Sequence, residues 1–164
     1  MRGRNKFTQR RNKHVINFYS NKNECHIWCE SFLERDYALL LEFDESVQSF
    51  SSQTEYFNVF GKRYTPDFCV LYASGLTEYV EVKHTTFLDD AFFEAHALRQ
   101  HSIYQETRSC LKLFSENEIC VPSLDNLRLL NRYRQLDVKH ILPLLNLKGY
   151  VLLNCCYTVY EYSR

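Results

Sequence analysis

The sequence predicts a single α/β domain, and three features of its hydrophobic pattern support that prediction. Residues 24–41 carry apolar side chains at helical spacing, uninterrupted by Gly or Pro. Residues 47–83 hold short alternating or clustered apolar segments separated by turns, which is typical of a β-meander. Residues 89–108 then return to a helical pattern. We therefore expect the order helix, meander, helix, strand, helix.

Turn and capping residues set the expected boundaries of these elements. Asp89 is a suitable N-cap for the second helix, and residues 122–125 open a third helix that runs to about residue 135. Residues 111–114 form the expected strand between them, and residues 141–160 fit either a short helix plus a strand or two strands. Within the meander, strands are predicted at 47–50, 56–60, 64–72 and 77–83, with turns at 61–63 and 73–75.

The composition indicates a soluble, cytoplasmic protein without a membrane partner. Of the 164 residues, 45% are hydrophobic and 15% aromatic, which is enough for one core. No apolar run approaches the ~18 to 20 residues of a membrane span, and the polar, basic N-terminus lacks the apolar segment of a signal peptide. The odd number of cysteines, seven, favours a reducing compartment.

Several residues with metal-binding or stacking chemistry have simpler structural explanations. Cys25, His26 and Cys29 allow a zinc site, but no second ligand pair follows at zinc-finger spacing, so we favour packing within the first helix. His96 does not share a helix face well with the next histidine on that helix, which argues against metal ligation there. Tyr64 is expected to be a core residue of a half-buried strand, with base stacking as the alternative.

Charge is divided unevenly along the chain, although the net charge is zero. Residues 1–22 contain no acidic residue. A basic arm on a mildly acidic body favours binding to a polyanion such as DNA, and a solvated tail is the alternative. The basic residues of this arm are Arg2, Arg4, Lys6, Arg10, Arg11, Lys13 and Lys22, of which the first six are the predicted DNA contacts.

The stretch YTPDFCVLYASGLTEYVEVKH, residues 64–84, places acidic and basic side chains at the ends of two adjacent strands. Because side chains alternate across a strand, Glu81 and Lys83 share one face. If the intervening loop has an odd number of residues, either 73–75 or 74–76, Asp67 pairs with Glu81 or Lys83 and all three groups converge. An even loop would separate them.

Two carboxylates beside an ammonium group suit metal-assisted phosphodiester hydrolysis. Mg²⁺ is commonly held by one or two carboxylates together with water and phosphate oxygens, and Asp67 and Glu81 can supply those carboxylates. Lys83 can then position the attacking water or stabilise charge on the phosphate. The structural alternative is a surface hairpin with a cross-strand ion pair, worth ~0.2 to 1 kcal/mol.

The motif and its surroundings resemble a known nuclease family. Lys83 follows Asp67 by sixteen positions, with Glu81 two before it, a spacing that resembles the PD-(D/E)XK nuclease superfamily. Four segments are similar to the N-terminal catalytic domain of TnsA-type transposon endonucleases, and together they span roughly residues 31–134. The segments are SFLERDYALLLEFDESVQSFSSQ, RYTPDFCVLY, EYVEVKH and CLKLFSENEICVPSLDNLRLLNRYR.

This resemblance implies a fold, an activity and a set of site residues. The implied fold is a restriction-endonuclease-like PD-(D/E)XK core, a central mixed β-sheet flanked by helices. The implied activity is Mg²⁺-dependent nicking of the 5′ ends of a transposon, with Mn²⁺ able to substitute, and the implied partners are DNA, a transposase subunit and an ATPase regulator. The implied catalytic residues are Glu34, Asp67, Glu81 and Lys83. The implied metal ligands are Glu34, Asp67, Glu81 and the Val82 backbone carbonyl. His84 is a further expected phosphate contact.

The expected organisation is a basic arm at 1–22, an endonuclease domain at 23–136 and a C-terminal extension of that domain at 137–164. The family often adds a winged-helix-like second domain, for which the segment after residue 134 is short, so activation by a partner is left open. Thr54 follows Gln53 where the family often has proline. Two alternatives remain, a restriction-type or junction-resolving nuclease and a non-catalytic DNA-binding assembly subunit, although the complete catalytic set argues against lost activity.

Overall fold

The computed structural model describes residues 15–134, together with the backbone of residues 150–152 and 159–161. The helices are α1 (Phe32–Phe43), α2 (Asp90–Thr107), α3 (Glu116–Ile119) and α4 (Leu124–Tyr133). The strands are β1 (Ile16–Ser20), β2 (Cys25–Cys29), β3 (Val47–Ser52), β4 (Phe57–Val59), β5 (Lys62–Tyr64), β6 (Phe68–Tyr72), β7 (Thr77–Val82), β8 (Cys110–Phe114), β9 (Tyr150–Leu152) and β10 (Val159–Glu161). Among these elements, no helix has the length and apolar character needed to cross a membrane.

The central element is a mixed four-stranded sheet in the order β3-β6-β7-β8. Strands β3, β6 and β7 are antiparallel neighbours, whereas β8 runs parallel to β7. The long connection between β7 and β8 contains α2, as a parallel pair requires. The prediction of an α/β fold with a mixed sheet flanked by helices is therefore confirmed.

One helix covers each face of this sheet. On one face, the ring of Tyr37 in α1 contacts Phe68, with the ring centroids 5.4 Å apart. On the other face, Ile103 of α2 packs in a buried cluster with Tyr79 and Leu111 of the sheet. Because neighbouring side chains on a strand point to opposite faces, the polar residues of β7 are divided between these two layers.

The turn between β6 and β7 fixes how the two strands align. The backbone N–H of Tyr72 donates to the carbonyl of Leu76 at 2.9 Å, which leaves a loop of residues 73–75. Gly75 has a φ of +85°, a conformation that glycine adopts at little cost. The loop is thus the first of the two odd-length alternatives.

The predicted first helix is wrong at its N-terminal end. Residues 25–29 form β2, which pairs antiparallel with β1, a strand that the sequence pattern did not indicate. Ile27 and Cys29 are buried while Trp28 is 55% exposed, so this segment alternates as a strand does. The packing explanation for Cys25, His26 and Cys29 changes accordingly, because they lie on this hairpin and not on a helix.

The helix begins after Ser31, whose side chain accepts a hydrogen bond from the backbone N–H of Glu34. Ser31 is the N-cap and Glu34 occupies the third helical position, the arrangement that stabilises helix starts. The second helix starts where predicted, because Asp89 caps α2 through the N–H of Phe92. Strands β4 and β5 form a separate hairpin whose turn lies at Phe60 and Gly61. The predicted turn at 61–63 is wrong at residues 62 and 63, which belong to β5, and the predicted strand at 64–72 is divided into β5 and β6.

The described residues fall into two compact units that divide between Cys120 and Val121. The second unit contains α4, which agrees with the predicted third helix, and the antiparallel pair β9 and β10. In the interval 141–160, which was left open, the described segments are strands. The predicted C-terminal extension otherwise lies outside the described residues.

Candidate active site

Asp67 and Glu81 lie on the same face of the sheet at the ends of neighbouring strands. The register of β6 and β7 pairs Phe68 with Val80 and Cys69 with Tyr79. Extending this register by one residue places Asp67 opposite Glu81. Directly opposed residues of antiparallel strands project to the same side, so these two carboxylates share a face, as an odd loop predicts.

The carboxylate of Asp67 is half-buried and sits among other charges. Its Oδ2 accepts a hydrogen bond of 2.8 Å from the backbone N–H of Val82. Burial raises the pKa of Asp67 from 3.8 to about 7, against the lowering effect of that N–H bond. The nearby carboxylates of Glu34 and Glu81 raise the pKa further, while Lys83 lowers it. Asp67 thus shares one electrostatic environment with the other three predicted catalytic residues.

Glu81 is buried and held by a dense set of donors. The hydroxyl of Tyr64 donates to its Oε2 at 2.6 Å, and Nη1 of Arg99 lies 3.0 Å from both carboxylate oxygens. Nδ1 of His96 lies 3.6 Å from Oε2, beyond hydrogen-bonding distance. Burial acts to raise the pKa of Glu81, but the His96 ring, the Tyr64 hydroxyl and the Arg99 charge together lower it below its usual value.

The partners of Glu81 come from one stripe of α2 that the sequence analysis did not assign to the site. Phe92, His96, Arg99 and Ile103 recur at helical spacing and line the side of α2 that faces the sheet. The Arg99 guanidinium lies 4.6 Å from the centroid of the Tyr64 ring and 5.8 Å from that of Phe92. His96 stacks on Phe92 with the centroids 5.6 Å apart. This spacing is the sequence signal that could have located these residues.

His96 is a buried polar side chain of this stripe without hydrogen-bond partners in the described part of the chain. It is 6% exposed, and neither ring nitrogen makes a hydrogen bond. Its position beside Glu81 places it in the same buried layer as the predicted site.

Glu34 is positioned by the start of α1. Its Oε2 accepts from the backbone N–H of Glu30 at 2.7 Å, and its Oε1 accepts from the Ser31 hydroxyl at 2.9 Å. Glu34 shares a buried stripe of α1 with Tyr37 and Leu41. Glu30 precedes α1, which begins at Phe32.

Lys83 and His84 follow directly after β7. The backbone N–H of Lys83 donates to the carbonyl of Phe114 at 2.9 Å, which continues the pairing with β8 beyond the strand. Its ammonium group lies 5.8 Å from the centroid of the Phe87 ring. His84 is exposed, and its Nδ1 lies 3.4 Å from Oε1 of Glu116. A phosphate at His84 would therefore have to compete with a carboxylate.

The donor set fits a cation held by two carboxylates. Among the residues that the structure describes, no group of three or more His, Cys, Asp or Glu side chains is arranged to hold a metal ion. Mg²⁺ needs only one or two carboxylates when water and phosphate oxygens complete its shell. Asp67 and Glu81 supply two, and the charge crowding that contributes to the raised pKa of Asp67 is of the kind that a divalent cation relieves.

No protein-family model matches this chain, and a comparison with curated proteins likewise gives no significant match. The chemical interpretation of the site therefore depends on the geometry and electrostatics of its own residues. The strongest elements are the opposition of Asp67 and Glu81 and the common electrostatic environment of Asp67, Glu34 and Lys83.

The predicted DNA-contacting arm lies mostly outside the described residues. All six of its predicted contacts precede residue 15, so their placement is not described. The last part of the interval 1–22 is β1 and the turn that follows it. In that turn, the Lys22 ammonium donates to the carbonyls of Leu41 at 2.9 Å and Val47 at 2.7 Å, so this cation is engaged in holding the hairpin.

Proposed function

We propose that this protein is a Mg²⁺-dependent DNA endonuclease with a PD-(D/E)XK core. The observation that carries the proposal is the opposition of Asp67 and Glu81 on one face of the sheet, with Lys83 immediately after the same strand. The order α1, three antiparallel strands, α2 and a parallel strand supports it, because the resemblance implies this order. Fold alone does not fix a function, so the site carries the argument.

The side chains have distinct roles in this proposal. Asp67 and Glu81 would hold the cation, which supplies a more acidic bound water and neutralises charge on the phosphodiester. In the free protein, Tyr64 and Arg99 hold Glu81 through its two oxygens. Lys83, which follows directly after β7 and whose charge acts on Asp67, would stabilise negative charge that develops on the phosphate. Glu34 and the backbone carbonyl of Val82 are further proposed ligands, as the resemblance implies.

The proposed substrate context is DNA transposition. The resemblance across residues 31–134 supports a role as the 5′-end-nicking subunit of a heteromeric transposase, working with a transposase subunit and an ATPase regulator. The basic composition of residues 1–13 supports attraction to DNA phosphates.

All five cysteines in the described part of the chain are free, which fits a cytoplasmic location.

A second candidate function is a non-catalytic DNA-binding assembly subunit. The observation that favours it is the engagement of Glu81 by Tyr64 and Arg99, which occupies both carboxylate oxygens with protein donors. A subunit that has lost catalysis would keep such a structural ion pair and need no cation. A restriction-type or junction-resolving nuclease shares the chemistry of the first candidate and differs only in its DNA substrate.

A plasmid-nicking assay separates the enzyme from the inactive subunit. We expect the wild-type protein to convert supercoiled plasmid to nicked circles with Mg²⁺ or Mn²⁺ and to stop when the metal is chelated. Asp67→Asn should abolish nicking, whereas Asp125→Asn, a change at an exposed aspartate of α4, should leave it unchanged. Metal-independent nicking, or full activity of Asp67→Asn, would reject the proposed site.

A further inference from the structure

We propose that Arg99 exchanges partners during DNA binding: it neutralises Glu81 in the free protein and moves to a DNA phosphate in the complex, which opens Glu81 to a divalent cation. This inference rests on the proposed nuclease function and adds a regulatory step to it. Metal binding would then be coupled to DNA binding, so that the free protein is protected from carrying an active metal centre.

The first support is the way in which donors are distributed over the two oxygens of Glu81. Oε2 accepts from the Tyr64 hydroxyl at 2.6 Å and from Arg99 at 3.0 Å. Oε1 accepts only from Arg99, at 3.0 Å, among the residues the structure describes. Departure of Arg99 would therefore free Oε1 completely while Tyr64 still fixed the carboxylate through Oε2. The freed oxygen is the type of ligand that Mg²⁺ and Mn²⁺ prefer.

The second support is the difference in exposure between the two partners. The side chain of Arg99 is 26% exposed, whereas that of Glu81 is 10% exposed. A phosphate arriving from solvent therefore meets the guanidinium before the carboxylate. Arg99 also lies over the rings of Tyr64 and Phe92, at 4.6 Å and 5.8 Å from their centroids, so it keeps a favourable contact while it changes partner.

The third support is the matched chemistry of the two acceptors. A guanidinium binds carboxylate and phosphate through the same planar pair of N–H donors. Here a single Nη1 serves both oxygens of Glu81, so the fork is not used in its two-donor form. A phosphate can offer Arg99 that two-donor geometry. A cation on Glu81 then replaces the positive charge that Arg99 removes, and the buried carboxylate is not left without a counter-charge.

The coupling can be measured as metal affinity with and without DNA. All proteins in the experiment carry Lys83→Ala, which is expected to slow cleavage by about 100-fold while keeping both proposed metal ligands. Mn²⁺ is titrated calorimetrically into protein alone and into protein saturated with a short DNA duplex. The signal from Mn²⁺ on the DNA itself is removed by subtracting the same titration of the Asp67→Asn, Lys83→Ala protein.

Two arginine variants distinguish a specific effect from a general change in charge. Arg99→Gln removes the cation beside Glu81. Arg63→Gln is the control: Arg63 also lies over a tyrosine ring, 4.0 Å from the centroid of Tyr56, but it does not contact Glu81. We expect DNA to raise the Mn²⁺ affinity of the parent protein, which carries only Lys83→Ala, about tenfold or more. Arg99→Gln should show the raised affinity without DNA, while Arg63→Gln should behave as its parent.

Three results would overturn the inference, and they differ in whether they also reject the proposed metal site. If the parent protein binds Mn²⁺ equally well with and without DNA, the exchange is rejected even if Arg99→Gln does not fold. If folded Arg99→Gln binds Mn²⁺ no better than its parent in the absence of DNA, Arg99 does not restrict Glu81, and the nuclease proposal survives. If no Asp67-dependent Mn²⁺ binding occurs under any condition, the metal site itself is rejected together with the exchange.

Discussion

Asp67 and Val82 are joined by a hydrogen bond of 2.8 Å, in which the backbone N–H of Val82 donates to the carboxylate of Asp67. This bond links the half-buried carboxylate of Asp67, just before β6, to the last residue of β7. Burial and the neighbouring carboxylates nevertheless raise the pKa of Asp67 to about 7. The position is therefore unfavourable for an ionised aspartate unless a cation compensates it.

The first prediction is that Asp67 destabilises the free protein at alkaline pH. Its pKa is about 7 in the folded state and near 3.8 when unfolded, so the folded state binds more protons between these values. Stability should therefore fall as pH rises from about 4 to 7. Asp67→Asn should raise the free energy of unfolding at pH 8 by on the order of 2 kcal/mol and change it little at pH 4. Thermal or urea unfolding at both pH values measures this.

Two outcomes would contradict that expectation. One is an Asp67→Asn protein that is less stable than wild type at pH 8, and the other is an equal difference at both pH values. Glu78→Gln is a useful control because Glu78 lies on the opposite face of β7, where Lys112 already neutralises it at 2.7 Å. Its substitution should not reproduce the stabilisation at high pH.

The second prediction separates the capping role of Glu34 from its proposed metal role. Glu34→Ala removes the acceptor for the Glu30 N–H and the Ser31 hydroxyl, so it should cost about 1 kcal/mol of stability. Glu34→Gln can keep an amide oxygen at these donors but loses the charge. If Glu34 is a ligand, both variants should lose nicking activity, whereas Glu30→Ala should keep it. An active Glu34→Gln protein would reject Glu34 as a metal ligand and leave its role at the start of α1.

The third prediction concerns Lys83, whose charge lowers the pKa of Asp67 and which follows directly after β7. Lys83→Ala should lower kcat by about 100-fold, because the group is proposed to act on charge that develops at the phosphate. DNA affinity should change much less, corresponding to about one unit of salt slope. Single-turnover rates and binding isotherms at several salt concentrations measure the two effects. Equal losses would show that Lys83 is a docking residue.

The sequence predicted the central sheet well because its signals are local. The alternation around Asp67 and Glu81 and the Ser-Gly turn fix which side chains share a face, and the structure has the odd loop that brings them together. The Asp89 cap also fixed the start of α2. These features depend on neighbours in the sequence, so they can be identified without tertiary information.

The hairpin of β1 and β2 could not be identified in the same way. Residues 25–29 have a composition compatible with helix or strand, and pairing with β1 decides between them. The environment of Glu81 was missed for a related reason. Tyr64 and Arg99 are separated from it by 17 and 18 positions, and only the packing of α2 on the sheet brings them to the carboxylate.

The fourth prediction tests the basic arm. Because β1 starts at Ile16, deletion of residues 2–13 stops before the first described strand. Each phosphate neutralised by an arm residue contributes about 0.9 to the slope of log K against log salt. The deletion should therefore weaken DNA binding at low salt and reduce the slope by several units, while Mn²⁺ binding at Asp67 stays unchanged. An unchanged slope would identify the arm as a passive tail.

The fifth prediction uses the two glutamates of β7 as a matched pair. Glu78 and Glu81 are both buried on the same strand, but they project to opposite faces and have different partners. Glu78 pairs with Lys112 and accepts from Tyr72 at 2.9 Å, away from Asp67. Substitution by glutamine keeps the shape of either side chain and removes only its charge. Comparing the two variants therefore shows whether an effect comes from one face of β7 or from any loss of charge on this strand.

The measurement is the single-turnover rate of plasmid nicking with Mg²⁺ by Glu81→Gln and Glu78→Gln, both first checked for folding. Glu81→Gln should slow nicking by about 100-fold or more, whereas Glu78→Gln should stay within a few-fold of wild type. That result would support catalysis at the face shared by Asp67 and Glu81. Nicking by Glu81→Gln at the wild-type rate, or an equal loss in both variants, would contradict it.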